Sequence, residues 1–281
     1  MTMQVLSVEV AGYQVAASHW PAGSESAAGG RMPDRTTVLL HSGVCDRRSW
    51  YWTADHLTDL GTLIAYDRRG FGDSPVSPGP YRDVDDLWAV VDQVTDGPVR
   101  LVGSSMGGLL ALDAALTSPD RVSGLVLLSP AISGAPDEDE KIDPESEALF
   151  DQLAAARQAG DQERRLQLQT RLWLDGPAAT EARVTGPARE LALTMNRLIL
   201  GNDFDDEAGA AGVDAWSQLE QIRTPATVAW GDLDVPLLID QWEQLAARLP
   251  RAQRRVLPGT AHLPYLEQPE RVADMIREAL G

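Results

Sequence analysis

The stretch Val99-Arg-Leu-Val-Gly103-Ser104-Ser105-Met106-Gly107-Gly108-Leu-Leu-Ala-Leu-Asp-Ala-Ala-Leu-Thr117 joins an apolar strand to an Ala/Leu-rich helix. Only the turn Gly103-Ser-Ser-Met-Gly107 separates them. A G-x-S-x-G motif in a strand–turn–helix setting lifts its central serine onto a sharp elbow. In so tight a turn the flanking positions have no room for a Cβ, and two glycines meet that demand. Ser105 is therefore expected at the carboxyl end of a sheet, with its hydroxyl exposed and a helix N-terminus beneath it. A serine hydroxyl is too weak an acid to attack a carbonyl unaided, so a histidine and an orienting carboxylate are expected elsewhere.

Outward from the elbow, strands alternate with helices. Val5–Val10 and Tyr13–Ala17, around Ala11-Gly12, pattern as a hairpin. Thr37–His41, Leu63–Asp67, Val122–Leu128, Pro225–Gly231 and Arg254–Leu257 pattern as strands. Helices are expected over Trp50–Leu60, Asp83–Thr95, Leu237–Leu249 and Pro269–Leu280. Such alternation predicts an α/β fold with a doubly wound, mostly parallel sheet and helices on both faces. From about Ile132 to Gln221 the alternation stops and only helical segments follow: Glu145–Ala159, Gln162–Leu174 and Pro187–Leu200. Asp161 and Thr185 or Gly186 sit where caps would begin the last two. The expected organisation is a core over 1–131 and 222–281, with a helical cap inserted at 132–221. The acidic run at 137–140 is expected to be a solvated linker rather than a metal site.

Composition narrows the function classes. The chain has 281 residues and a formal net charge of −18, with Lys141 the single lysine among 24 basic residues. So acidic a surface repels polyanions, which argues against nucleic acid and anionic membranes as partners. The arginine pairs 47/48, 68/69, 164/165 and 254/255 are scattered and make no basic stripe. No apolar run approaches the ~20 residues that span a bilayer, and the first ten residues lack the pattern of a secretory signal. The expected location is the cytoplasm. Cys45 is the one cysteine, so neither an intrachain disulfide nor a Cys/His zinc cluster is expected.

With the elbow placed, the chain from about Leu6 to Leu280 resembles the α/β-hydrolase family, in its capped esterase and lactonase-like branch. Leu39–Gly43, Asp67–Ser74, Gly103–Gly107, Gly231–Asp234 and Pro258–His262 carry the resemblance. It implies the order serine, acid, histidine, with the acid after a late strand and the histidine after the last. Of the four histidines, His19, His41, His56 and His262, only His262 lies in a small-residue loop leaving the final strand. His41 is expected to tie loops together and not to act as a second base. After Ala226–Trp230, Asp232 and Asp234 are both candidate acids, and the family pattern Gly-x-x-Asp places the acid at Asp234. Acyl transfer also needs N–H donors for an oxyanion. The expected donors are the amide of Met106 and, by its position in His41-Ser42-Gly43, that of Gly43. Ser42 stands where the family most often has glycine. Ser104 is expected to be a supporting hydroxyl, and Phe71 an edge of the pocket.

The resemblance therefore implies two-step acyl transfer through an acyl-enzyme on Ser105. The substrate would be a small to medium, mainly uncharged ester or lactone, with no cofactor and no metal. The stretch His262–Glu270 is similar to enol-lactone-opening members of the family, such as 3-oxoadipate enol-lactonase-like hydrolases. Trp173, Met195, Phe204 and Trp216 of the cap are expected either to line an apolar pocket or to pack the cap onto the core. The same triad also serves C–C bond hydrolases, cofactor-free perhydrolases and ligand-binding members of the fold. Dehalogenases and epoxide hydrolases of this fold use an aspartate nucleophile, against which Ser105 argues.

Overall fold

The computed structural model describes residues 3–22, 35–77, 79–136, 142–202, 209 and 212–281. Eight strands make one sheet: β1 (Gln4–Val10), β2 (Tyr13–Trp20), β3 (Thr36–Leu40), β4 (Thr62–Tyr66), β5 (Val99–Ser104), β6 (Val122–Leu128), β7 (Ala226–Gly231) and β8 (Ala252–Leu257). They lie in the order β1-β2-β4-β3-β5-β6-β7-β8, antiparallel from β1 to β4 and parallel thereafter. The expected mostly parallel, doubly wound sheet is thus the observed one.

Burial on both faces explains the consecutive apolar residues of the central strands, as at Val38–Leu40, Leu101–Val102, Leu125–Leu128 and Val228–Trp230. Val38, Leu40, Leu101, Leu125, Leu127, Val228 and Trp230 face one core, shared with α2 (Asp83–Val91), α3 (Met106–Thr117) and α7 (Pro236–Arg248). Leu39, Val102, Val126, Leu128 and Ala229 face the other, shared with α1 (Tyr51–Asp55) and, after α8 (Pro264–Glu267), α9 (Pro269–Leu280). Adjacent residues of one strand serve opposite cores, as the period of two requires. Helix α9 shows the matching helical stripe, burying Val272, Ala273, Met275, Ile276 and Leu280. Strand β8 closes the sheet as an edge and keeps Gln253, Arg254 and Arg255 exposed, which discourages pairing with another chain.

Register sets where chemistry can happen. Leu40 pairs with Gly103, Leu128 with Ser104, and Leu257 with Gly231, so the carboxyl ends of β3, β5, β6, β7 and β8 share one edge. The order reverses between β3 and β5, and a crevice at such a reversal is where open α/β sheets bind ligands. Ser105 follows β5 there.

Between β6 and β7 come α4 (Pro144–Gln158), α5 (Gln162–Thr170) and α6 (Pro187–Leu200). Asp143 caps α4 by accepting the Ser146 N–H at 2.9 Å, and Asp161 caps α5 by accepting that of Arg164 at 2.9 Å. The helix expected over Gln162–Leu174 changes character at Arg171, where a wide π turn runs to Asp175 and ends at Gly176. The expected helix Trp50–Leu60 is also shorter. Asp46 caps a 3₁₀ turn at Arg47–Trp50, α1 spans Tyr51–Asp55, and a second tight turn, Thr58–Leu60, takes Leu60 into the core. His56 consequently ends α1 instead of lying within a longer helix. The acidic run at 137–140 lies outside the described residues. Among the described residues, no helix is long and apolar enough to cross a membrane.

Candidate active site

Ser105 adopts φ 52 and ψ −116, a conformation that L residues avoid and that must be held by its surroundings. Its N–H donates to the Leu128 carbonyl of β6 at 3.0 Å. Its own carbonyl accepts N–H groups from Gly108 (2.8 Å), Ala131 (2.9 Å) and Leu109 (3.0 Å). The glycines on either side are demanded by contact: a Cβ at 103 would lie 2.2 Å from the Gly107 carbonyl oxygen, and one at 107 would lie 2.2 Å from that of Leu40. Real Cβ atoms do not approach backbone oxygens so closely. The elbow expected from the sequence is the local structure found.

On the same edge, the loops after β7 and β8 meet. His262 Nδ1–H donates to Asp234 Oδ2 at 2.8 Å, and both side chains are buried, with 6% and 0% of their surface exposed. Asp234 Oδ1 accepts the Val235 N–H at 2.8 Å. With Nδ1 committed as a donor, the imidazole keeps its Nε2 lone pair for a proton. The two candidate carboxylates are thereby told apart. Asp232 is exposed and accepts the Gly259 N–H at 2.6 Å, bracing one loop on the other, while Asp234 turns in to the imidazole.

Ser105 and His262 line a common cavity of about 440 Å³. Its wall is formed by Ser129–Ile132 after β6, Ala135 and Pro136, Trp173 of the π turn, and Leu238, Gln241 and Trp242 of α7. Trp173 lies over the imidazole at 4.5 Å between ring centroids, and the Trp242 ring is at 6.0 Å. Trp242 is fixed by donating its indole N–H to the Pro130 carbonyl at 2.7 Å. Apart from His262, none of these wall residues carries an ionisable side chain.

Of the four expected pocket residues, Trp173 is in this wall. Met195 is not among the lining residues; it is fully buried with Leu174 and Ala192 in the second core, packing the insert down. Trp216 is not among them either: it packs against the first core with the Arg248 guanidinium 5.0 Å from its ring. Phe204 lies outside the described residues. The α7 residues Leu238, Gln241 and Trp242 went unrecognised in the sequence because α7 patterns as an ordinary core helix. Their signal was position, since α7 starts two residues after Asp234.

Gly43 and Met106 are neighbours, for a Cβ at 43 would lie 2.6 Å from Met106 Sδ. Met106 is the first residue of α3, so its N–H has no carbonyl one turn earlier to bond. His41 is buried, and desolvation pushes its pKa well below the ordinary value and leaves it neutral. Its Nδ1–H donates to the Ser42 carbonyl at 2.8 Å and its Nε2 accepts the Arg68 N–H at 3.1 Å, joining the loops after β3 and β4. Phe71 packs on His41 with centroids 4.8 Å apart and is not among the residues of the cavity wall. Asp67 ties the same loops: Oδ1 accepts the Arg47 N–H at 2.7 Å, and Oδ2 takes the Arg47 guanidinium and the Asp73 N–H. Burial still pushes its carboxyl up to about 6. Ser104 is fully buried beneath the elbow. Cys45 is fully buried as well, and desolvation pushes its thiol up to about 12, where no reactive thiolate forms.

The model of the alpha/beta hydrolase family matches residues 37–275. A pimeloyl-[acyl-carrier protein] methyl ester esterase of Yersinia enterocolitica is 30% identical, over 86% of this chain and 92% of its own. A Bacillus subtilis protein provisionally named 2-succinyl-6-hydroxy-2,4-cyclohexadiene-1-carboxylate synthase is 28% identical, over 89% of this chain and 92% of its own. Among solved structures, a thermophilic esterase from Thermogutta terrifontis superposes with a TM-score of 0.69 at 25% identity, covering 98% of this chain and 97% of its own. The match to the family model spans most of the chain, including the elbow and the loops of Asp234 and His262. The chain belongs to the alpha/beta hydrolase family.

Proposed function

We propose that this protein is a serine hydrolase of carboxylic esters or lactones, with Ser105 as nucleophile, His262 as base and acid, and Asp234 as the residue that orients His262. The observation that carries this reading is the buried His262–Asp234 hydrogen bond at the wall of the cavity that Ser105 also lines. The names of the Yersinia and Thermogutta relatives support ester chemistry.

In the proposed reaction Ser105 Oγ attacks the carbonyl carbon as His262 Nε2 takes its proton. The imidazolium is stabilised by Asp234, which stays ionised. The N–H groups of Met106 and Gly43 hold the oxyanion of the tetrahedral intermediate. Collapse breaks the bond to the alcohol, which leaves with the proton from His262; in a lactone that alcohol stays tethered to the acyl group. Water then attacks the acyl-enzyme, giving its proton to His262, and the second collapse returns the acid and a protonated Ser105. We propose the helical insert at 132–221 as a cap that places Trp173 over His262.

The wall residues favour neutral substrates, since a substrate carboxylate would meet no cation among them and would enter a protein of net charge −18. That argues against a substrate bearing the carboxylate in the Bacillus relative's name. The test is a chain-length series of p-nitrophenyl esters beside several neutral lactones. Turnover of at least one set by the wild type, lost in Ser105→Ala, is the expected result. Turnover that survives the substitution overturns the proposal.

A further inference from the structure

One side chain of the insert reaches into the loop that carries His262. Arg183 lies between the π turn and α6. Its Nε donates to the Asp175 carbonyl at 2.9 Å, Nη2 to that of Leu174 at 2.8 Å, and Nη1 to that of Gly259 at 2.9 Å. Nη2 also pairs with Glu267 Oε2 at 2.5 Å, and Glu267 Oε1 accepts the Ala261 N–H at 2.8 Å. One guanidinium thus engages the backbone three residues before His262 and, through Glu267, the residue immediately before it.

The segment that presents Arg183 is itself held. Asp175, with a fully buried side chain, accepts the N–H groups of Ala182 (3.0 Å) and Val184 (3.2 Å) and the Arg189 guanidinium (2.9 Å). On the acid's side of the site, Gly176 at φ +91 lies so close that a Cβ there would be 2.2 Å from the carbonyl oxygen of Leu233, the residue before Asp234. A surface ion pair would tie the insert down at little gain. This one differs, because the Glu267 side chain is 2% exposed and is bonded to the backbone of the histidine loop. Burial pushes the Glu267 carboxyl up to about 7, with the Asp234 charge adding to the rise and Arg183 and the Ala261 N–H opposing it. Its ionisation at neutral pH therefore depends on Arg183.

On the hydrolase reading above, we infer that Arg183 is a positioning residue. Through Glu267 and the Gly259 carbonyl it sets the loop that aims His262, so that the seated insert and an aligned His262–Asp234 pair are one state of the molecule. Small displacements of a catalytic group cost up to about 10²-fold in rate.

The test compares wild type, Arg183→Gln, Arg183→Lys, Glu267→Gln and the Arg183→Gln/Glu267→Gln double variant. Each is assayed on the best p-nitrophenyl ester at a temperature where thermal melts show it folded. For Arg183→Gln, kcat is expected to fall about tenfold with KM within about twofold. Glu267→Gln should lower kcat severalfold, and the double variant should be no worse than Arg183→Gln by more than about twofold, because the two act in one chain of contacts. Arg183→Lys, which keeps the charge but not the fork, should recover part of kcat. The acid limb of the kcat–pH profile should move to higher pH in Arg183→Gln, where the carboxylate has lost its cation, and not in Glu267→Gln. An active wild type beside a folded Arg183→Gln of unchanged kcat overturns this inference alone. If Arg183→Gln does not fold, unchanged kcat in Glu267→Gln does the same. A wild type that turns over no ester or lactone and whose Ser105 resists a fluorophosphonate overturns the hydrolase reading, and this inference with it.

Discussion

Two aspartates separated by one residue, Asp232 and Asp234, have different work because their loops aim them differently. Asp234 meets the imidazole from a buried position, whereas Asp232 stands in solvent and bonds the Gly259 amide. Replacing Asp234 by Asn keeps the shape but removes the acceptor of the His262 Nδ1–H, which in the proposed reaction fixes the tautomer. A loss of about 10²–10⁴-fold in kcat is expected. Asp232→Asn should cost less than about tenfold, through slackening of the loop. Steady-state kinetics on the two variants check this, and a reversed ranking would move the acid to Asp232. The residues themselves left the two aspartates open, and only the resemblance favoured Asp234. A loop's direction is settled by contacts such as that of Asp232 with Gly259, which spacing along the chain does not carry.

At the scale of elements, α3 combines an elbow at one end with a buried charge in its middle. Asp113 is 1% exposed and accepts the Ser133 hydroxyl at 2.8 Å, and burial pushes its carboxyl up to about 6 from an ordinary 3.8. The folded form therefore binds a proton that the unfolded chain has released between pH ~4 and ~6. Stability from this group is fully present below about pH 4 and is lost as pH rises through about 6. Asp113→Asn, which keeps an acceptor for Ser133, should gain on the wild type across that window by up to about 3 kcal/mol and then level off. Urea melts at several pH values measure it. The π turn Arg171–Asp175 makes a second prediction. Trp173→Ala, removing the ring over His262, should shift the acyl preference to longer chains and raise KM for short ones, as a p-nitrophenyl ester series would show. The helix over Gln162–Leu174 was legible in its period. The wide turn was not, because Gly176 at φ +91 and the Asp175 bonds that shape it are tertiary facts.

For the whole molecule, charge and cavity act together. A net charge of −18 surrounds a cavity whose wall, among the described residues, offers no cation other than a protonated His262. Neutral esters should show kcat/KM nearly independent of ionic strength. A monoanionic ester of equal size should be slower by at least about tenfold at low salt, the gap narrowing as the screening length falls to about 4 Å near 0.5 M. Equal rates for both at low salt would contradict this. The alternation of strands and helices, the doubly wound sheet and the elbow were legible because short apolar runs, helical periods and the G-x-S-x-G turn are local signals, whereas the order of strands in the sheet is a tertiary fact. The path from Arg183 through Glu267 to Ala261 joins the insert to the last loop over 84 residues, and no pattern in either segment announces it.

In the proposed reaction Ser105 is acylated during turnover with His262 as its base. Acid-quenching a reaction with a slowly deacylating p-nitrophenyl ester, followed by peptide mass spectrometry, reads that acylation out. The acyl mass is expected on the peptide carrying Ser105, absent from Ser105→Ala and formed at least about a hundredfold more slowly in His262→Ala. Steady turnover with Ser105 unmodified, or acylation unslowed in His262→Ala, would contradict the proposed reaction.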